Sequence, residues 1–373
     1  MSELISTMEE NERPRESSSI ERPRPLRIAQ VAPLYESVPP KLYGGTERVV
    51  SYLTEELVRR GNEVTLFASG DSSTSATLHA GYPTSLRLSG LAQVAANGLG
   101  MHMPMLSRVF ERADDFDIIH CHLDYWTFAF SNLVATPTIT TLHGRLDLDE
   151  LVPIFDQFKD RPLISISDAQ RKPLPAMNWA ATIHHGVPRD HLQFNPRGGK
   201  YLAFLGRIAP EKRPDIAIKV ARKAGIPLKI AAKVDEVDRE YFRTAIEPMI
   251  KAGPGVEYIG EINETQKSEF LGNALALLFT IDWPEPFGLV MIEAMACGTP
   301  VIARPCGSVP EVMRNGVTGF IAAEFDDLVA AVRKIDTISR AACREEYERR
   351  FAVDVMAEKY ERIYRELISI NRR

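Results

Sequence analysis

The sequence predicts an α/β protein built of two doubly wound domains whose strand ends face a shared cleft. Three observations carry that prediction. The chain has 373 residues, about the length of two domains. Residues 26–68 read as strand, loop, helix and strand, a unit whose parallel crossover is expected to be right-handed. Residues 289–303 read as a helix followed by a short buried strand, the same repeating step far down the chain.

Composition narrows the class. With 45% apolar and 25% charged residues the chain is an ordinary globular protein. No apolar run approaches the roughly 18 residues of a membrane span, and the polar start is unlike a signal peptide. Cys121, Cys297, Cys306 and Cys343 are too few and scattered for a disulfide framework, so a cytoplasmic setting is expected. A net charge of −5 offers nucleic acid no footprint. Residues 1–190 hold 18 Lys/Arg against 24 Asp/Glu, and the remainder 27 against 26. The less acidic second half suits a diphosphate ligand. The acidic first half argues against a polybasic membrane face, while peripheral membrane contact stays open.

In chain order, residues 1–25 are rich in Glu, Arg, Ser and Pro and are expected to form a disordered tail. Residues 26–32 form the first strand, which Pro33 ends. Gly44 and Gly45 directly precede a helix striped with Val49, Val50, Leu53, Leu57 and Val58 and closed at Gly61. Without side chains, that pair lets backbone N–H groups approach a phosphate or sugar; a tight loop would need them equally. Residues 117–122, D-I-I-H-C-H, read as a strand with a polar tip. Alternation points His120, Cys121 and His122 to opposite faces in turn. They are therefore not read as one metal site but as placing a histidine at the cleft. A further strand over 137–143 ends on His143. Asp147 and Asp149 form a D-x-D triplet, which is common by chance and is discounted as a metal site. Ser167 and Gln170 read as a capping box, and the domain boundary is placed near Asp190.

The second domain opens with a strand over 200–205 and the loop G-R-I-A-P-E-K-R-P, residues 206–214. Arg207 brings a rigid guanidinium fork and Lys212 a flexible ammonium, a combination that matches a diphosphate. Pro214 suits the first turn of the next helix. Strands follow over 228–234, 256–259 and 274–280, with a helix over 265–271. Residues 283–320 then run W-P-E-P-F-G-L-V-M-I-E-A-M-A-C-G into a buried strand. Leu289, Ile292 and Ala296 mark a helix and Gly298 its stop. Glu285 lies just before this helix and Glu293 about a turn inside it, where free N–H groups and the positive helix end favour acids or anionic ligands. Buried acids need such a partner. Residues 351–370 form a closing amphipathic helix with Val355, Tyr360, Ile363, Tyr364 and Leu367 on one side.

The string from Glu285 to Glu293 resembles the E-x7-E signature of the retaining glycosyltransferases of family four, also called glycosyl transferases group 1. These have the GT-B fold of two Rossmann-like domains. The resemblance covers residues 26–373 and includes glycine turns at Gly307 and Gly319, a T-x-H-G segment ending at Gly144, and G-R-x-x-x-E-K before Arg213. It implies an acceptor-side domain over 26–190, a donor-binding domain over 191–350, and a helix within 351–373 crossing back to the first. Glu293 would bond the donor ribose, Glu285 would face the sugar's anomeric centre, and His143 would touch the sugar. Gly44 and Gly45 would meet the donor from the first domain, and Phe287, Gly288 and Leu289 from the second. Two departures stand out. Arg213 replaces a glycine, which is expected to tighten the turn. A-K-V-D-E-V-D replaces a glycine-rich loop, and Lys233 is expected to compensate by its charge.

By the same resemblance, the reaction moves a hexosyl group from a nucleoside diphosphate sugar to a hydroxyl with retention, giving an α-glycoside. Family usage points to UDP-glucose or a similar UDP-hexose as the donor, although the residues do not separate uridine from guanosine or adenosine. No metal or other cofactor is expected, because Arg207 and Lys212 would stabilise the leaving diphosphate. Glu285 is read as stabilising positive charge on the sugar rather than attacking it. The acceptor, whether a small molecule, glycan or lipid-linked sugar, would meet loops 38–43 and 91–106, which carry no readable code. Two rivals share the fold. A sugar-nucleotide epimerase would convert donor alone, and a non-catalytic binder would have lost charged residues that this chain keeps.

Overall fold

The computed structural model describes residues 24–42, 44–89 and 98–372. The tail expected over 1–25 lies almost wholly outside these residues, as do Tyr43 and 91–97 of the two acceptor loops.

Two parallel sheets organise the molecule. The first contains β1 (Arg27–Val31), β2 (Glu63–Ser69), β3 (Thr77–Tyr82), β4 (Ile118–Cys121), β5 (Thr138–Thr141), β6 (Leu163–Ser165) and β7 (Trp179–Thr182), in the order β3-β2-β1-β4-β5-β6-β7. The second contains β8 (Tyr201–Arg207), β9 (Leu228–Lys233), β10 (Val256–Gly260), β11 (Ala274–Phe279), β12 (Val301–Ala303) and β13 (Gly319–Ile321), in the order β10-β9-β8-β11-β12-β13. The order reverses beside β1 in one sheet and beside β8 in the other. A doubly wound sheet opens a crevice beyond its carboxyl strand ends at such a switch.

The inner strands are apolar almost throughout because helices cover both faces of each sheet; β11, for example, reads A-L-A-L-L-F, while the edge strands β3 and β10 are partly exposed. Helix α1 (Gly45–Arg59) buries Val49, Val50, Leu53 and Leu57 as its stripe predicts, with Val58 half-buried. Helices α2 (Gly98–Glu111), α3 (Pro214–Ala224), α4 (Glu264–Gly272) and α5 (Leu289–Ala296) follow. The last helix, α6 (Val353–Asn371), returns to the first sheet. The chain crosses where Val187 N donates to Phe351 O at 2.9 Å and Val353 N to Val187 O at 2.9 Å. On α6 the fully buried Tyr360 and Tyr364 carry their hydroxyls to Thr141 at 3.0 Å and to His120 at 2.6 Å. A buried tyrosine needs such a partner.

Two local expectations change. The capping box at Ser167 is half made. Ser167 Oγ accepts from Gln170 N at 3.0 Å, but Gln170 Oε1 turns to Ile166 N at 2.9 Å while its Nε2 donates to Leu142 O and Gly144 O. The side chain thereby ties the strand end before His143 in place. Arg213 does not simply tighten its turn. It adopts a left-handed conformation (φ 52°), which costs an L-residue about 1–2 kcal/mol and accounts for a glycine in relatives. Ion pairs from its guanidinium to Asp215 and Asp282, both at 2.9 Å, hold it there.

Candidate active site

A cavity of about 510 Å³ lies between the carboxyl strand ends of the two sheets, within the range of ligand pockets. The donor and sugar residues expected from the sequence all line it: Gly44, Gly45, His143, Arg207, Lys212, Lys233, Glu285, Phe287, Gly288, Leu289 and Glu293; the histidine expected at the cleft from residues 117–122 does not, because His120 and His122 are both buried behind it. Arg207 is the last residue of β8 and Lys233 the last of β9, directly opposite in register. Lys212 follows on the loop after β8, and Glu285 on the loop after β11. Gly45 opens α1 beside Leu289, whose Cδ1 would lie 3.8 Å from a β-carbon placed on that glycine.

Both acids find cations rather than the helix terminus expected from sequence. Glu285 Oε2 takes the ammonium of Lys212 and the Trp283 indole N–H at 2.9 Å, and Lys212 Nζ also lies 4.7 Å from the Trp283 ring centroid. Glu293 Oε1 accepts from Lys267 Nζ at 2.8 Å. The physical reason is position. Glu293 sits in the second turn of α5, where backbone N–H groups already serve the helix. Arg207 likewise is not a free fork. It contacts Glu211 at 2.6 Å, Asp238 at 3.1 Å and Asp235 at 3.7 Å. Lys233 pairs with Asp235 at 2.8 Å. The acidic segment that stands where relatives are glycine-rich therefore supplies counter-charges to this wall.

Two glycines shape the loop that carries Glu285. Gly288 (φ 79°) turns the chain into α5. Gly307 (φ 56°) lies so close beneath Glu285 that an added β-carbon would sit 2.3 Å from the Glu285 carbonyl oxygen and 2.4 Å from its nitrogen. No other residue type fits there, and the contact fixes the height of the carboxylate. Gly319 makes a comparable approach, to Val301 O, at the sheet itself.

The opposite wall is organised differently. His143 Nε2 lies 2.8 Å from His122 Nδ1, and His122 Nε2 lies 2.8 Å from Gln30 Oε1. Burial pushes His143 down to about 3 and drives His120, His122 and His185 well below the usual histidine range. These imidazoles are neutral at physiological pH. Strand alternation puts His120 and His122 on one face, 4.0 Å between ring centroids, with Cys121 buried on the other. Among the described residues no group of three or more His, Cys, Asp or Glu side chains is placed to hold a metal ion. Asp147 of the D-x-D triplet pairs with Arg145 at 2.7 Å. In the first turn of α1, burial raises the carboxyl of Glu47 to about 7 despite backbone N–H groups and Arg87 that favour its charge.

Two clasps close the cleft. Glu264 on α4 meets Arg48 (3.2 Å) and Tyr52 (3.1 Å) of α1, His191 (2.7 Å), and Lys267 (2.5 Å), the lysine that also holds Glu293. Burial alone would raise the Glu264 carboxyl, but His191, Lys267 and Arg48 hold it well below the usual range. Across the cleft, Glu311 accepts from Asp168 N at 2.7 Å and Ala169 N at 2.6 Å.

Tyr35, Glu47, Arg87, His185, Lys267 and Trp283 line the same cavity and were not singled out from sequence. Glu47 had a visible signal, an acid in the first turn directly after the Gly-Gly pair. Lys267 had none, because it reaches Glu293 only through the packing of α4 beside α5.

With the geometry in hand, comparison with known proteins is direct. Residues 190–351 match the family model for glycosyl transferases group 1, and residues 43–183 the model for glycosyltransferase family 4. The phosphatidyl-myo-inositol mannosyltransferase of Mycobacterium leprae (strain TN) is 25% identical over 381 aligned positions, covering 91% of this chain and 96% of that protein. The D-inositol 3-phosphate glycosyltransferase of Mycolicibacterium smegmatis is 31% identical over 209 positions, covering 50% of this chain and 44% of that protein. Among solved structures, sucrose-phosphate synthase from Thermosynechococcus elongatus superposes with a TM-score of 0.72 at 18% identity, over 92% of this chain and all of that one. Anabaena HepE in complex with UDP and glucose gives 0.68 at 16% identity, over 91% of this chain and all of that one. No helix among the described residues is long and apolar enough to cross a membrane. Two Rossmann-like sheets around one cleft, with both halves matched by family models, place this chain in glycosyltransferase family four, the group 1 glycosyl transferases, as a transferase of GT-B fold.

Proposed function

We propose that this glycosyltransferase moves a hexosyl group from a nucleoside diphosphate sugar, a UDP-hexose such as UDP-glucose, to an acceptor hydroxyl with retention of configuration and without a metal. Residues 191–350 would hold the donor, while 26–190 with 351–373 would serve the acceptor. One observation carries the reading: Lys212, Arg207, Glu285 and Glu293 line one cavity, with Lys212 held on Glu285. The likeness to a structure containing UDP and glucose supports the donor class.

In this mechanism the diphosphate displaces carboxylates. Its oxygens take Lys212 from Glu285 and Arg207 from Glu211 and Asp238, and the ribose hydroxyls donate to Glu293. As the anomeric C–O bond lengthens, negative charge grows on the diphosphate, where the two fixed cations stabilise it more than they stabilise the ground state. Glu285, released from Lys212, faces the positive charge growing on the sugar. The acceptor hydroxyl adds to the anomeric carbon from the side the diphosphate leaves and passes its proton to a departing phosphate oxygen. An α-linked donor then gives an α-glycoside. The clasps at Glu264 and Glu311 keep bulk water, a competing acceptor, out of the cleft.

Calorimetry with UDP-, GDP- and ADP-hexoses, followed by turnover in the presence of chelator, tests the donor and the metal together. A UDP-hexose should bind tightest, and chelator should leave its turnover unchanged. Product with inverted anomeric configuration, read from its proton coupling, would overturn the retaining assignment. Epimer formation from donor alone would overturn the transfer itself.

A further inference from the structure

We propose that Trp283 is a positioning residue for the transfer: its indole N–H keeps the Glu285 carboxylate aimed into the cleft when the donor diphosphate draws Lys212 away. The role rests on the donor-site reading above, in which Glu285 faces the sugar and Lys212 the diphosphate.

Trp283 meets both groups at once. Its Nε1–H donates to Glu285 Oε2 at 2.9 Å, and Lys212 Nζ, paired with that same oxygen, lies 4.7 Å from the centre of its ring. All three side chains line the cavity. Among the described residues, Lys212 and Trp283 are the side chains that hydrogen-bond Glu285, and they differ in kind. The ammonium rides on a flexible four-carbon stem and can turn to a phosphate. The indole N–H is a donor only, on a ring whose place is set by the loop that carries it.

That loop is pinned on both sides of the indole. Trp283 O accepts from Glu285 N at 2.8 Å across Pro284. Upstream, Asp282 N donates to Glu211 O at 2.8 Å, while the Asp282 carboxylate pairs with Arg304 at 2.7 Å and Arg213 at 2.9 Å. Downstream, Ser308 N donates to Glu285 O at 3.0 Å, just past Gly307. With the backbone held, departure of Lys212 frees only the Glu285 side chain. A carboxylate 13% exposed that loses its cation would turn towards water. The indole opposes that turn, because a hydrogen bond to an ionised acceptor is among the stronger ones. The carboxylate then meets the positive charge growing on the sugar with its direction already set, as electrostatic preorganisation requires. Trp283 acts through Glu285 and needs no contact with the sugar.

The test is nitrogen-15 NMR of the full chain labelled at tryptophan. The chain has three tryptophans, and Trp126→Phe and Trp179→Phe leave the indole signal of Trp283 identified. Saturating UDP or GDP, whichever calorimetry shows to bind, should move that signal downfield, as Glu285 turns its whole charge on the indole, and leave the proton slow to exchange with water. A signal that stays in place or moves upfield overturns the proposal. Turnover supplies the second arm. Trp283→Phe keeps a ring beside Lys212 and removes the N–H, so kcat should fall roughly tenfold or more while the donor KM stays within about twofold. A kcat within about twofold of the wild type, or a donor KM that rises by as much as kcat falls, overturns the role. Failure of the wild type to turn over UDP-, GDP- or ADP-hexoses removes the donor-site reading and this role with it. Turnover by the wild type with an undiminished Trp283→Phe removes the role alone.

Discussion

The two walls of the cleft solve the problem of buried polarity in opposite ways. On the second sheet the polar groups are charged and already paired: Lys212 with Glu285, Arg207 with Glu211 and Asp238, Lys267 with Glu293. On the first sheet's side neutral imidazoles stand in file and burial raises the Glu47 carboxyl to about 7, while the cations there, Arg48 and Arg87, are paired with Glu264 and Glu36 at the rim. A wall of paired charges can exchange an internal carboxylate for a ligand's phosphate without ever stranding a cation. Neutral imidazoles suit hydroxyl groups, which they can meet without competing for a diphosphate. The difference teaches that charge in this cleft is set by local pairing and burial, not by the overall charge of each half.

The comparison breaks most readily at its cations. Arg207→Ala or Lys212→Ala should lower turnover by roughly 100- to 1,000-fold at saturating donor. A loss under tenfold would mean that these groups serve only as counter-ions to their carboxylates. Next in size is Glu47. Its carboxyl is raised from 4.5 to about 7, so the folded state binds a proton that the unfolded state has lost. Stability is therefore full below about pH 4.5 and falls by about 3 kcal/mol as pH rises through 7. Glu47→Gln should remove that decline, as urea unfolding at pH 5 and pH 8 would measure. Glu264 carries the opposite sign. Held well below its usual value by His191, Lys267 and Arg48, it stabilises above the ordinary carboxylate range and loses that contribution as pH falls. Glu264→Gln should blunt acid unfolding and, by loosening the clasp that shares Lys267 with Glu293, raise the donor KM about tenfold. The smallest effect belongs to Lys233, already paired with Asp235. Lys233→Ala should weaken donor binding by about 1 kcal/mol, or roughly fivefold, in calorimetry; no change would reduce it to a structural partner of the acidic segment.

Much of this cleft was legible in advance because its parts are local. Gly44 and Gly45, Arg207 and Lys212, and Glu285 with Glu293 each sit on one loop or helix start, where residue type and spacing speak for themselves. The inner strands were legible because a sheet covered on both faces needs unbroken apolar runs; the edge strands β3 and β7, half-exposed and without such runs, were not. The carboxylates that neutralise Arg207 were not, although Asp235 and Asp238 lie in a segment whose departure from relatives was noticed. A departure shows that something differs, but the direction of a side chain depends on neighbouring strands, here β8 beside β9. The half-made box at Ser167 failed for a similar reason. Gln170 turns its Oε1 to Ile166 N so that its Nε2 can reach Leu142 O and Gly144 O, in the segment after β5 and 28 and 26 residues away.

From the sequence alone came the architecture, the cleft and the residue types around it, because periodicity, glycine placement and loop chemistry act over a few neighbouring residues. Only the tertiary structure decided which charge faces which, how Gly307 sets the height of Glu285, and that buried imidazoles stand in file beside Gln30 and Tyr364. Those outcomes depend on angstrom-scale distances between segments remote in the chain, such as Gln30, His122 and Tyr364, and on the burial that makes an unpaired charge or proton too costly to keep.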